Sequence, residues 1–149
     1  MRPKTTLQNG QVLVEFAFVL PILVILVLGI IEFGIVFYNK AMVTNASREG
    51  ARTGIVLQKD SSGNCIPVPD SAIEKAVTDY LQAKLINFGD GSTSISTTIS
   101  RNGNCPDQNP GGGDVTVTVS YNHSFLVIPK FLGLGDTITL AGETVMRRE

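Results

Sequence analysis

The longest hydrophobic stretch of the chain lies near its N-terminus. It runs for 23 residues from Phe16 to Tyr38, and the part as far as Ile31 carries no charge. As an α-helix, this stretch spans about 35 Å, enough to cross a hydrocarbon core of about 30 Å with some tilt. A helix buried in a soluble fold is the alternative, but so long an uncharged run is unusual in a chain of 149 residues. The pattern predicts a transmembrane helix.

Two residues interrupt this apolar run. Pro21 lacks an N–H group, which predicts a kink or local unwinding of the helix. Glu32 has two interpretations: a functional carboxylate with a partner inside the membrane, or a carboxylate that reaches the interface where the helix emerges. Helix-compatible residues follow, so we expect the helix to continue to about Arg52 and to end at Gly54.

The second half of the chain carries the pattern of a small mixed domain. A loop is expected from Gln58 to Asp70, where Gly, Asn, Ser, Asp and Pro are frequent. A second helix is expected from Ser71 to Phe88, because Ser71 and Glu74 have capping-box spacing and apolar residues recur at helical intervals. Gly89 supplies the stop signal.

Three later segments alternate between apolar and polar residues, as strands with one buried face do. They are Thr93–Arg101, Asp114–Asn122 and Asp136–Met146. In the third segment, Gly142 predicts a bulge between Leu140 and Val145. The fold class is therefore α+β: a long transmembrane helix, then one helix packed on an antiparallel sheet of three to four strands.

These elements divide the chain into three parts. Residues 1–10 form a basic, polar leader, residues 11–53 the transmembrane helix, and residues 54–149 a domain outside the cytoplasm. Arg2 and Lys4 precede the span and favour a cytoplasmic N-terminus by the positive-inside rule.

Charge and cysteine content narrow the possible functions. The net charge is −1 and no basic cluster with interleaved aromatic residues occurs, so nucleic acid is not an expected partner. Cys65 and Cys105 are the two cysteines. If the second half is exported, they are expected to form a disulfide, and two free thiols are the alternative.

Catalytic motifs are not evident in the sequence. His123 is the single histidine, and its neighbour Ser124 would point to the opposite face of a strand. The histidine and the cysteines lack the spacing of metal ligands, and the three consecutive glycines 111–113 are not followed by the residues of a phosphate loop. We therefore expect no enzyme activity, no metal and no cofactor.

The start of the apolar run contains a recognisable motif. The motif consists of a glycine, Gly10, followed by Gln11 and, five residues after the glycine, by a glutamate, Glu15. It resembles the processing site of type IV prepilins and pseudopilins. Further matching segments are Val14-Glu15-Phe16-Ala17, Leu20-Pro21, Gly29-Ile30-Ile31-Glu32-Phe33-Gly34 and Ala46-Ser47-Arg48-Glu49-Gly50-Ala51-Arg52. Together they resemble the TadE/TadF-like minor pilins of tight-adherence (Tad/Flp) pili.

The resemblance implies a function and a set of partners. A prepilin peptidase would cut between Gly10 and Gln11, and Glu15 would neutralise the new amine of a neighbouring subunit. The protein would be a minor pilin or pseudopilin of the bacterial inner membrane, in contact with lipid, other pilin subunits and the inner-membrane assembly platform. The alternative is a single-pass, membrane-anchored binding or scaffold protein of the cell envelope that enters no filament.

Overall fold

The computed structural model describes residues 6–87, 94–103, 113–125 and 137–148, with side chains from residue 10 onward. Two helices and five strands follow one another in this part of the chain. In order they are α1 (Thr6–Gly54), β1 (Leu57–Lys59), β2 (Cys65–Pro67), α2 (Asp70–Gln82), β3 (Ile95–Asn102), β4 (Asp114–Ser124) and β5 (Thr137–Arg147). The predicted α+β class, with a long apolar helix before a helix and an antiparallel sheet, is confirmed.

Helix α1 is the longest element, with 49 residues and a length of about 74 Å. It ends at Gly54, as predicted. The helix runs through Pro21 without interruption, so the expected local unwinding does not occur. Proline removes a single N–H from the hydrogen-bond ladder, and the bonds on either side keep the helical path.

The two halves of α1 have different surroundings. Every residue from Gly10 to Val27 is exposed, although most of them are apolar. From Glu32 onward one face of the helix is buried, and its members recur every three, four or seven residues. They are Glu32, Asn39, Val43, Ala46, Ser47, Gly50, Ala51 and Gly54. The first half of α1 is thus an uncovered apolar rod, and the second half is part of the folded domain.

Strands β3, β4 and β5 form an antiparallel sheet in that order. In β4, the four residues Val115, Val117, Val119 and Tyr121 are buried, as the alternation predicts. Among the described residues, the hydrophobic core draws on both helices and the sheet: Val43, Ala46, Ala51, Val68, Ile73, Val77, Leu81, Val115, Val117, Val119, Tyr121 and Leu140.

Helix α1 is the helix that packs on the sheet, whereas the sequence pattern predicts α2 in that position. The second half of α1 packs on β4 and β5, and α2 packs chiefly on α1 and only weakly on β3. Gly50 and Gly54 make this arrangement possible. A Cβ atom on Gly50 would lie 2.6 Å from a methyl group of Val77 on α2 and 3.2 Å from one of Val117 on β4.

The bulge predicted at Gly142 is absent. The pairing of β4 with β5 is regular, with Gly142 opposite Val119, so Met146 and not Val145 turns toward the core. Val145 is 56% exposed. The glycine serves close packing instead: a Cβ atom there would lie 2.9 Å from Cα of Thr44 on α1.

The predicted loop from Gln58 to Asp70 contains a short antiparallel hairpin, formed by β1 and β2. Its turn is built around Asp60, whose Oδ1 accepts hydrogen bonds from the backbone N–H groups of Ser62 and Asn64, each at 2.8 Å. Gly63 adopts a φ of +83°, a left-handed conformation that favours glycine. These bonds also lower the pKa of the Asp60 carboxyl group.

Helix α2 is shorter than predicted and lacks the capping box. Pro69 occupies the N-cap position and no side chain caps the helix, because the helix begins before Ser71. The helix ends at Gln82, so Leu85 lies beyond it. The predicted end at Phe88, the stop at Gly89 and the outer ends of two strands, Thr93 and Asp136, lie outside the described residues.

We predict that Gly142→Ala destabilises the domain by about 1–3 kcal/mol, because α1 and β5 must separate to admit a methyl group against the Thr44 backbone. Chemical denaturation of the full chain in detergent measures the effect. Gly34→Ala is the control, since a Cβ atom at Gly34 meets nothing within 4 Å. Equal stability of the Gly142→Ala variant and the unaltered protein would contradict the close packing.

Candidate functional site

The N-terminal candidate residues lie on consecutive turns of α1. Gln11 and Glu15 are four residues apart, and the Gln11 Nε2 group donates a hydrogen bond of 3.2 Å to Oε1 of Glu15. Helical side chains lean toward the helix N-terminus, so the Glu15 carboxylate lies over Gln11. Both residues are exposed. The geometry therefore places the carboxylate one turn from the peptide bond between Gly10 and Gln11.

Gly10 is also helical and exposed, and a Cβ atom added there meets nothing within 4 Å. Glycine costs about 1 kcal/mol relative to alanine inside a helix. Neither its φ angle nor its packing requires glycine, in contrast to Gly50, Gly54 and Gly142. The fold therefore supplies no reason for glycine at this position.

Glu32 marks the level of α1 at which the domain begins. It is 6% exposed, whereas its neighbours Ile31 and Phe33 are 55% and 58% exposed. The folded domain therefore covers the carboxylate, and the uncovered rod ends at this level. The two interpretations of Glu32, a carboxylate with a partner inside the membrane or one that reaches the interface, both stay open.

A buried polar cluster that the sequence pattern did not predict lies two turns further along α1. Asn39 is fully buried, and its Nδ2 group donates to the carbonyl oxygen of Ile86 at 2.8 Å. The N–H of Ile86 donates to Oδ1 of Asn39 at 3.1 Å. Asn39 Nδ2 also lies 3.2 Å from Nδ1 of His123 on β4. One side chain thus joins α1, the segment after α2 and the sheet.

This pairing explains why α2 ends early. Leu85 N–H still bonds to Leu81 O, but the next residue, Ile86, directs both of its backbone groups to Asn39. The sequence contained one signal: Asn39 is polar yet in helical phase with Val43 and Ala46 on the buried face. A buried polar residue in such a position requires a hydrogen-bond partner.

His123 is 3% exposed and lies among aromatic rings. The ring of Phe125 meets it edge-on with 5.7 Å between centroids, and the ring of Tyr121 lies at 6.2 Å. Burial lowers the pKa of His123, and the negative charge of Glu32 partly opposes that effect. Among the described residues no group of three or more His, Cys, Asp or Glu side chains could hold a metal ion.

The opposite end of the domain is held by two arginines. The guanidinium of Arg148 is buried and its Nη2 lies 3.4 Å from the carbonyl oxygen of Gly54, the last residue of α1. Arg101 pairs with Asp70 and donates to the carbonyl oxygen of Val68 at 2.8 Å. Arg148 thus ties the residue after β5 to the end of α1, and Arg101 ties β3 to the start of α2.

Cys65 lies in β2, and no free cysteine occurs in the described part of the chain. Its predicted partner, Cys105, lies outside the described residues. The pairing of the two cysteines stays a prediction.

These features define a class of protein. Among the described residues, one helix, Gly10–Gly54, is long and apolar enough to cross a membrane, and its first half is uncovered. An apolar rod of this kind, continuous with a small α+β domain, indicates a domain carried on a membrane anchor.

Comparison with known families gives a more specific result. Residues 10–52 match the model of the TadE-like protein family, so this segment is TadE-like and the resemblance predicted from its motifs is confirmed. The family suggests a protein associated with the Tad pilus. The match covers 43 of the 149 residues and ends within α1, before α2 and all five strands. No curated protein and no solved structure matches the chain.

Proposed function

We propose that this protein is a minor pilin or pseudopilin that takes part in the biogenesis of a Tad/Flp-type pilus, and through it in adhesion and biofilm formation. The observation that carries the proposal is the coincidence of the TadE-like segment, residues 10–52, with the helix that joins an apolar rod to the domain core. The protein acts by assembly and not by catalysis.

In this proposal the uncovered part of α1 crosses the bacterial inner membrane. Residues 10–31 have a helical length of about 33 Å, close to the thickness of the hydrocarbon core. The covered face begins at Glu32, so the domain lies close to the outer surface of the inner membrane. Phe33, Phe37 and Tyr38 are exposed at this level, where aromatic side chains suit an interface. The basic residues of the leader place the N-terminus in the cytoplasm.

The proposed processing event is removal of residues 1–10 by a prepilin peptidase. The absence of any packing requirement at Gly10 supports it, because the glycine is then explained by the enzyme that must accept it. Hydrolysis of the Gly10–Gln11 peptide bond leaves a carboxylate on Gly10 and a protonated amine on Gln11.

The proposed role of Glu15 follows from that charge. In the intact chain its carboxylate accepts a hydrogen bond from the Gln11 side chain. In an assembled filament, the amine of a neighbouring subunit replaces the Gln11 side chain as the partner of Glu15. The protein also contacts the inner-membrane assembly platform. A charge pair is strong in a low-dielectric environment, and an unpaired carboxylate there is costly.

We predict that Gly10→Val blocks removal of the leader, because a side chain at this position obstructs the close approach of the peptidase to a backbone that glycine leaves uncovered. Immunoblotting of whole cells should show one uncut band, and N-terminal sequencing should start at Met1. Gly34→Val is the matched control, because it alters another open helical glycine of α1 and should leave cleavage unchanged. Mature unaltered protein that begins at Met1 would refute processing and favour the alternative, an anchored scaffold that enters no filament.

We predict that Glu15→Ala and Glu15→Gln leave membrane insertion intact but abolish pilus assembly, since both remove the charge that pairs with the amine. Cell fractionation measures insertion, and electron microscopy measures piliation. Glu49→Gln is the control, because it removes an exposed carboxylate of α1 beyond the apolar rod. Normal piliation of the Glu15→Gln variant would show that the charge is dispensable.

We also propose a disulfide between Cys65 and Cys105, consistent with the absence of a free thiol at Cys65. A bridge that closes a loop of about 40 residues contributes roughly 4 kcal/mol in the chain-entropy model. Protein isolated from the cell envelope should react with an alkylating agent only after reduction, as measured by mass spectrometry. Alkylation of both cysteines without reductant would exclude the bridge.

A further inference from the structure

The hydrogen bonds of Asn39 fix which end of its amide group is the oxygen. The N–H of Ile86 can only donate, and it lies 3.1 Å from Oδ1. The carbonyl of Ile86 can only accept, and it lies 2.8 Å from Nδ2. Exchange of the two ends would place donor against donor and acceptor against acceptor. The backbone of Ile86 therefore determines the orientation of the amide group.

This orientation in turn fixes the state of His123. The remaining hydrogen of Asn39 Nδ2 is available to His123 Nδ1, which lies 3.2 Å away. Nδ1 must then accept, so the imidazole is neutral and carries its hydrogen on Nε2. Protonation at Nδ1 would bring two donors together in a cluster whose side chains, Asn39 and His123, are at most 3% exposed.

We propose that Asn39, His123 and the backbone of Ile86 form a proton-sensitive latch that holds the segment after α2 and the end of β4 against α1. At neutral pH all three hydrogen bonds form. When Nδ1 of His123 takes up a proton, the Asn39 amide group loses its acceptor and must turn or withdraw. Either movement also breaks the pairing with Ile86, so the segment after α2 is released from α1.

The groups around His123 determine how readily its imidazole ring takes up a proton. From α1, the Glu32 carboxylate favours the protonated ring, and from β4 the Tyr121 phenol is close but neutral at physiological pH. On β5 the residue paired with His123 is Ile138, which is apolar. Burial opposes protonation and is the larger effect, so the pKa of His123 lies below its usual value of 6.5.

The sign of the pH dependence follows from that direction. As the pH falls, His123 takes up a proton near pH 6.5 in the unfolded chain and only at a lower pH in the folded chain. The contribution of the latch is therefore complete above about pH 6.5 and is lost as the pH falls below that value. A latch that releases in acid is the expected behaviour.

His123 is the only histidine of the chain, so its titration can be followed without assignment. We suggest ¹⁵N-labelled full-length protein in detergent micelles, with the imidazole nitrogens and the Ile86 amide observed by NMR. The expected result at pH 7.5 is a neutral ring with the hydrogen on Nε2. As the ring protonates, the protection factor of the Ile86 amide, which is its intrinsic exchange rate at that pH divided by its measured rate, should fall. A hydrogen on Nδ1 at pH 7.5, or an Ile86 amide unaffected by the titration, would overturn the proposal.

Two variants separate a latch from ordinary core packing. Asn39→Asp replaces the donor that faces His123 by a carboxylate, so it should raise the pKa of His123 above about 6.5 and reverse the pH dependence. His123→Asn keeps an acceptor near the position of Nδ1 but cannot titrate, so protection of Ile86 should become independent of pH between about 5 and 7.5. An unchanged His123 pKa in Asn39→Asp, or a persistent pH dependence in His123→Asn, would refute the assigned hydrogen bonds.

Discussion

The fold depends on one constraint, the close approach of α1 to the elements around it. A Cβ atom would lie 2.6 Å from Val77 if placed on Gly50, 2.9 Å from Ile73 on Gly54, and 2.9 Å from the Thr44 backbone on Gly142. All three distances are shorter than packed carbon atoms allow, so a methyl group would displace side chains at Gly50 and Gly54 and the backbone of α1 at Gly142. The small side chain of Ala46, which is fully buried, continues this surface along α1. Close approach brings the second half of α1 between α2 and the sheet, where it becomes the centre of the domain.

This arrangement joins the anchor and the domain without a linker. The helix that is uncovered and apolar over residues 10–27 is the same helix that supplies Val43, Ala46 and Ala51 to the core. Asn39 fastens it at the end near the proposed membrane, and Arg148 fastens it at the far end through Gly54. Because the anchor and part of the core belong to one helix, a displacement of the anchor would move the domain with it. That property suits a protein proposed to work in an assembly of packed helices.

The sequence predicted those features that local patterns determine. The long helix, its end at Gly54 and the inward residues of β4 follow from hydrophobic periodicity and from a helix-stop signal. The TadE-like motifs also lie in a contiguous segment, and the matched family model confirms them. Features that depend on contacts between distant residues were missed or misjudged. The pattern around Gly142 predicts a bulge, because the contact that requires a glycine there is with the Thr44 backbone, 98 residues earlier in the chain. Helix α2 ends before the predicted position because Asn39 withdraws Ile86 from the helical path. The composition of residues 58–70 predicts a loop and not the short hairpin, because three-residue strands carry almost no periodicity.

The central claim is that the second half of α1 and the sheet form one cooperative unit. Hydrogen–deuterium exchange of the full chain in lipid nanodiscs, measured at increasing denaturant, tests it most directly. The account predicts that the amides of Val43, Ala46 and Ala51 exchange through the same global opening as those of Val117 and Val119. Exchange of the α1 amides by local opening, while the β4 amides remain protected, would contradict it and would make the domain independent of its helix.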